Sequence, residues 1–259
     1  MVALLTQKDL QGVQRLPFCY LCGKQFIDGD SINRDHVPPQ STFHRRDRQP
    51  LILSTHRRCN SSYKSEDEKI GQLIALRRGD YPAKNQRLKL THFPNMRMSA
   101  VENLNVEAAI WRWVRGFHAA LYRQPIPADA RGAIQTPFPR ADRLHNGIHV
   151  RPILPQHLAF VDSIKANRLH KNLDKISCNS GKLVYECAWF TYDNDPRWFC
   201  IFAMDIYDWK DLGATSSLPA RGCAGCYGLP DDSIPENAMK GLRSSIIIPN
   251  YDVLDAFSR

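Results

Sequence analysis

Two short spacings of soft ligands, Cys19-x-x-Cys22 and His56-x-x-Cys59, constrain this chain more than anything else in it. Together they offer four sulfur and nitrogen donors at knuckle spacing, a set that suits one tetrahedral Zn²⁺. With all four positions filled by protein, no place remains for a substrate, so this zinc is expected to be structural. It would staple the strand that carries the first knuckle to the start of a helix, in a module too small to rely on its own core. The competing reading makes Cys19 and Cys22 buried thiols and His56 a surface residue. The agreement of the two half-sites in spacing favours zinc.

Around the knuckles the chain alternates short apolar runs with turn residues. Pro17–Cys22 reads as a strand entering a tight turn at Gly23, and Ser31–Val37 as a second strand stopped by Pro38-Pro39. Residues 40–50 read as a basic loop, and Leu51–Thr55 as a compact third strand. Ser65 with Glu68 forms a capping-box pattern ahead of Ile70, Leu73, Ile74 and Leu76, with Arg77, Arg78 and Gly79 closing the helix. The first eighty residues thus predict three strands and a helix, with a cysteine knuckle in front.

Hard oxygen donors flank the soft ones. Asp35-His36 ends the second predicted strand, and Asn60 directly follows the second knuckle. A carboxylate and an amide oxygen converging on one point suit Mg²⁺, which takes few protein ligands and keeps several waters. Neighbours on an extended strand point to opposite faces, so His36 would face away from an ion on Asp35. A neutral imidazole in that position can take a proton from water at physiological pH. The plainer readings are a turn-capping Asp35 and a buried, satisfied His36.

Cys19-x-x-Cys22, Arg34-Asp-His-Val-Pro-Pro39 and His56-x-x-Cys59-Asn60 together resemble the HNH, or ββα-metal, endonucleases. The stretch Asp35–Phe43 is similar to the motif in the HNH domain of RNA-guided effector nucleases. The resemblance covers residues 17–80. It implies that Asp35 and Asn60 hold one catalytic Mg²⁺ or Mn²⁺, that His36 is the general base, and that the products carry a 5′ phosphate and a 3′ hydroxyl. Arg45, Arg46, Arg48, Arg57, Arg58 and Lys64 would clamp the phosphate backbone, or else form a solvated charged surface. Stand-alone proteins of this kind look like bacterial or phage enzymes of restriction or antiviral defence. The chain departs from the family's middle asparagine, having Gln49-Pro-Leu51 near that place. Gln49 is the substitute that the sequence offers.

The charge distribution agrees with a phosphate partner. Of the net charge of +9, residues 1–100 hold +8, with 17 Lys and Arg against 9 Asp and Glu. The expected partner is therefore nucleic acid, double-stranded DNA first, with an RNA substrate and a non-catalytic zinc-stapled DNA-binding module as the alternatives. No run approaches the apolar length that crosses a membrane, and charged residues follow Met1–Leu5 too soon for a signal peptide. A cytoplasmic location is the default expectation.

Residues 101–259 are near-neutral and carry no chemistry of comparable specificity. A strong helix is expected over 102–123, its stripe formed by Val106, Ile110, Trp113, Val114, Phe117 and Leu121. Trp111, Trp113 and Phe117 read as core, or as a platform for stacked bases. Residues 124–156 read as a connector, 157–168 as a short helix, Lys182–Phe190 and Arg197–Asp205 as a β-hairpin, and Ser245–Ile248 as a last strand. Cys223 and Cys226 are either half of a second zinc site or buried thiols, and Cys187 and Cys200 would face each other across the hairpin. His44, in the basic loop, is a candidate contact to phosphate or metal. The expectation is an α+β protein: an HNH nuclease domain at 1–100 with structural zinc, then a mixed α/β domain at 101–259. The second domain would hold a regulatory or partner-binding role.

Overall fold

The computed structural model describes residues 1–47, 49–77, 88, 90–93, 98–101, 104–130, 132–135, 140–144, 147–151, 155–191, 197–206, 223–230 and 233. Along the chain run β1 (Ala3–Leu4), α1 (Gln7–Gly12), β2 (Ile32–Val37), β3 (Leu51–His56), α2 (Arg57–Ser61), α3 (Lys64–Arg77), β4 (Leu90–Phe93) and β5 (Met98–Val101). They are followed by α4 (Val106–Tyr122), β6 (Gly132–Gln135), β7 (Arg140–Leu144), β8 (Gly147–Arg151), α5 (Pro155–Leu169), β9 (Asp174–Cys178), β10 (Leu183–Thr191), β11 (Trp198–Ile206) and β12 (Cys223–Leu229). The protein is mixed α+β, as expected. Arg48, the turn Asp193–Pro196 and the predicted strand Ser245–Ile248 lie outside the described residues.

A six-stranded sheet ordered β1-β9-β10-β11-β12-β6 forms the centre. Its β1–β9 pair is parallel and the other four pairs are antiparallel. Both faces are covered, so its central strands read as continuous apolar runs rather than alternating ones. The alternation survives in what each side chain meets. Tyr185, Cys187 and Trp189 of β10, with Cys200, Phe202 and Met204 of β11, join a core that includes α4. Ala188, Phe190, Phe199 and Ile201 join Phe160 and Ile164 of α5 on the other side.

That first core is shared between the two halves of the sequence. Val37, Leu51 and Leu53 of the β2–β3 pair belong to the same cluster as Trp113 and Phe117 of α4 and Tyr185 of β10. Helix α4 starts where the Asn105 side chain accepts from the Ala108 N–H at 3.0 Å, and it ends at Arg123 in the left-handed region, φ 56°. Trp113 and Phe117 are 1% and 0% exposed, which makes them core and not a stacking platform. At Gly116 the helix comes so close to β2 that a Cβ there would stand 2.7 Å from Val37 Cγ1.

Several sequence expectations change. The first predicted strand shrinks to a single bridge, Phe18 with Gln25, framing the cysteine turn. Helix α3 begins at Lys64, so Ser65 sits inside its first turn and not at its cap. Residues 124–156 are more than a connector, since β6 within them completes the edge of the large sheet. The hairpin register pairs Trp189 with Cys200 and Cys187 with Phe202, so Cys187 and Cys200 are diagonal neighbours, not opposite ones. Cys223 and Cys226 both lie on β12, three residues apart, and therefore on opposite faces. Cys223 enters the α4-side core and Cys226 the α5-side core, which removes them as two ligands of one ion. Burial holds both thiols well above their ordinary range, as apolar packing does.

Candidate functional site

Cys19 and Cys22 sit on a turn closed by short backbone bonds. The Cys19 N–H donates to Lys24 O at 2.9 Å, and the Gly23 N–H to Cys19 O at 2.8 Å. Gly23 takes φ +75°, a backbone that glycine adopts without strain. The second half-site is built where β3 passes directly into α2, with His56 the last residue of the strand and Cys59 in the helix. Pairing of Ile32 with His56 fixes that strand end against β2. The four donor atoms of Cys19, Cys22, His56 and Cys59 all lie within 4.8 Å of one another, close enough to hold a metal ion.

The chemistry of this cluster fits zinc. Burial works against ionising Cys19, yet hydrogen bonds from the Thr55 hydroxyl and from the backbone N–H groups of His56, Cys22 and Leu21 bring its pKa down to about 7. Burial, and the neighbouring Cys19 and Cys22 sulfurs, push Cys59 up to about 11. Crowded thiols that repel each other's charge are what a divalent cation relieves. The His56 ring turns Nδ1 to Cys22 Sγ at 3.4 Å and Nε2 to Asp30 Oδ2 at 3.1 Å. Asp30 escaped the sequence reading. Its signal was faint: an acidic residue just before β2, whose partner strand β3 ends in a ligand.

The hard-donor residues take a different arrangement. Asp35 and Val37 of β2 lie opposite Leu53 and Leu51 on the core face, while His36 lies opposite Ile52 on the other face. Asp35 is 6% exposed, and its Oδ2 accepts a 2.5 Å hydrogen bond from the buried Tyr20 hydroxyl. Burial raises the pKa of this carboxyl. The Tyr20 bond and the nearby Arg112 guanidinium only partly offset that. His36 is half-buried, and its Nε2 stands 2.6 Å from the side-chain amide nitrogen of Gln40. Gln49, the substitute suggested by sequence, is exposed and instead accepts on its backbone oxygen from the Asn179 N–H at 2.9 Å. Asn60 is half-buried on α2, which packs against both β2 and β3.

Arg112 links this region to the second half of the chain. It is 4% exposed on α4, pairs with Asp67 of α3, and lies over the Tyr63 ring at 4.7 Å. Periodicity alone could not reveal this, because Arg112 sits in the sequence like an ordinary solvated position of a helix. Among the candidate phosphate contacts, Arg46, Arg57, Arg58 and Lys64 are exposed. The side chain of Arg45 and the whole of Arg48 fall outside the described residues. His44 is half-buried between the two 3₁₀ turns Gln40–Thr42 and Arg45–Asp47.

Among the described residues no helix is long and apolar enough to cross a membrane. Comparison with protein-family models, with curated proteins and with solved structures finds no match.

Proposed function

We propose that this protein is a metal-dependent endonuclease of the HNH type, acting on the phosphodiester bonds of nucleic acid and first of all double-stranded DNA. One observation carries the reading. An antiparallel strand pair runs directly into a helix packed on it, with Asp35-His36 on the first strand and Asn60 on the helix, one residue beyond a zinc-competent cluster. The cluster would anchor Cys59 and thereby Asn60. Asp35 and Asn60 offer hard oxygen donors that suit Mg²⁺ or Mn²⁺, and such an ion would supply Lewis-acid stabilisation of charge on the phosphate and leaving oxygen.

The chain's own groups carry the remaining steps. His36, on the opposite face from Asp35, accepts the proton of the attacking water, with the side-chain amide of Gln40 packed against its ring. Arg46, Arg57, Arg58 and Lys64 hold the backbone on either side of the broken bond. In this reading the protein works in the cytoplasm of a cell defended by it, and residues 101–259 contact a partner or activator.

A second reading has one observation in its favour. The Tyr20 bond closes off part of the Asp35 carboxylate, which suits a non-catalytic module that grips nucleic acid through a zinc-stapled basic surface. Labelled DNA and RNA of equal length, incubated in Mg²⁺ and in EDTA, separate the cases. Cleavage of DNA abolished by EDTA supports the nuclease. Retention of intact DNA in a gel shift, with no cleavage of either nucleic acid, supports the binding module. Cleavage confined to RNA makes the substrate RNA.

A further inference from the structure

The cysteine-histidine cluster leaves one chemical choice open: which ring nitrogen of His56 meets the ion. A neutral imidazole has one N–H and one lone pair, so the partner of one nitrogen decides the role of the other. Nε2 lies 3.1 Å from Asp30 Oδ2, while Nδ1 lies 3.4 Å from Cys22 Sγ, inside the cluster. We propose that His56 ligates the metal through Nδ1 and that Asp30 is the positioning residue that enforces this. The inference rests on the reading of the cluster as a zinc centre.

Asp30 is itself held in place. The Ile27 N–H donates to Asp30 Oδ2 at 2.9 Å, and the Asp30 N–H donates to Ile27 O at 3.1 Å, a tight turn just before β2. The oxygen that receives the Ile27 N–H is the same one that faces the His56 ring. Phe26 sets its ring against the imidazole, centroids 5.0 Å apart and planes at 72°. The ring is thus fixed at one edge by an acceptor and on one side by an aromatic. Coordination through Nε2 would require it to turn over and leave the Asp30 carboxylate facing a C–H edge. A carboxylate accepting from a ligating histidine fixes its tautomer and raises its basicity, and loss of such a partner typically weakens metal affinity about 10–100-fold.

The full chain loaded with ¹¹³Cd tests this directly. Three bonds separate a metal on Nδ1 from Hε1 but four separate it from Hδ2, whereas a metal on Nε2 is three bonds from both. Proton–cadmium correlation should show the Hε1 of one histidine and not its Hδ2, and the peak should vanish in His56→Ala. Correlation to both ring protons overturns the proposal. Asp30→Ala should lower zinc affinity about 10–100-fold in competition with a chromophoric chelator. Asp30→Asn keeps an oxygen for both the ring N–H and the Ile27 N–H, so it should keep the Hε1-only signature and recover most of the affinity. Wild-type affinity in Asp30→Ala also overturns it. Failure of the intact chain to bind zinc or cadmium would instead refute the metal centre itself.

Discussion

The Tyr20 hydroxyl donates to Asp35 Oδ2 at 2.5 Å, joining the cysteine turn to the strand that carries the Asp-His pair, in a setting where both side chains are buried. Removing one partner of a buried hydrogen bond leaves the other unsatisfied, at a cost of about 1–3 kcal/mol. Tyr20→Phe should therefore lower stability by about that amount in urea unfolding. An unchanged midpoint would mean that the bond does not hold the two elements together.

Asp35 also predicts a pH effect of definite sign. Burial holds its folded pKa above the ordinary carboxylate value of 3.8. The folded carboxyl therefore binds its proton more tightly than the unfolded one, and its ionisation costs stability above the folded pKa. That cost is relieved as pH falls through the folded pKa towards the unfolded value. Asp35→Asn should then match or exceed wild-type stability at pH 7 while abolishing cleavage, and its advantage should shrink on acidification. A loss of stability at pH 7 would show that the ionised carboxylate is needed to hold the fold.

Zinc binding should weaken with acid. The Cys59 thiol at about 11 must surrender its proton to a metal throughout the neutral range, and the Cys19 thiol at about 7 must do so once the pH falls below that value. Between pH 8 and 6 the apparent zinc affinity should fall about tenfold per unit for each proton displaced. Titration calorimetry in buffers of different ionisation heat counts those protons. No buffer dependence would contradict a thiolate-rich centre.

Helix α4 should prove firmly held to the first half of the chain, beginning with α3. Arg112→Met breaks the buried pair with Asp67 and leaves that carboxylate uncompensated, a change worth about 3–5 kcal/mol. Arg112→Met with Asp67→Asn should recover much of the loss, and thermal unfolding of the set reads the coupling.

The approach at Gly116 makes an independent case. A methyl group there would press on Val37 Cγ1, and overpacking of this kind costs about 1–3 kcal/mol. Gly116→Ala should lower Tm by several degrees. A Tm equal to wild type would show that the helix can withdraw from β2 without penalty.

The zinc-competent cluster was legible because its ligand spacing is local: two knuckles announce themselves within four residues each. The β2–β3 pair was legible for the same kind of reason, since Leu51 and Leu53 alternate with less buried neighbours. The strand β12 was not. Its sequence Cys-Ala-Gly-Cys-Tyr-Gly-Leu has small residues that favour no strand by themselves, and only burial between two cores makes it one. The Cys223–Cys226 spacing imitated a knuckle, but on a strand it points the thiols apart. Asp30 and Arg112 were hidden because their partners, His56 and Asp67, lie 26 and 45 positions away, and only pairing and packing bring them together. Gln40 reaches His36 where sequence pointed to Gln49, because the chain turns back in a 3₁₀ turn just after Pro39.

The central claim is that His36 serves as the base of a metal-dependent nuclease. Its most direct test is cleavage of supercoiled plasmid in Mg²⁺, in Mn²⁺ and in EDTA, by the wild type and by His36→Ala at matched zinc content. The account predicts nicking or linearisation by the wild type in either metal, none in EDTA, and a rate about 10²–10⁴-fold lower for His36→Ala. Equal cleavage by the two proteins, or cleavage that persists in EDTA, would contradict it.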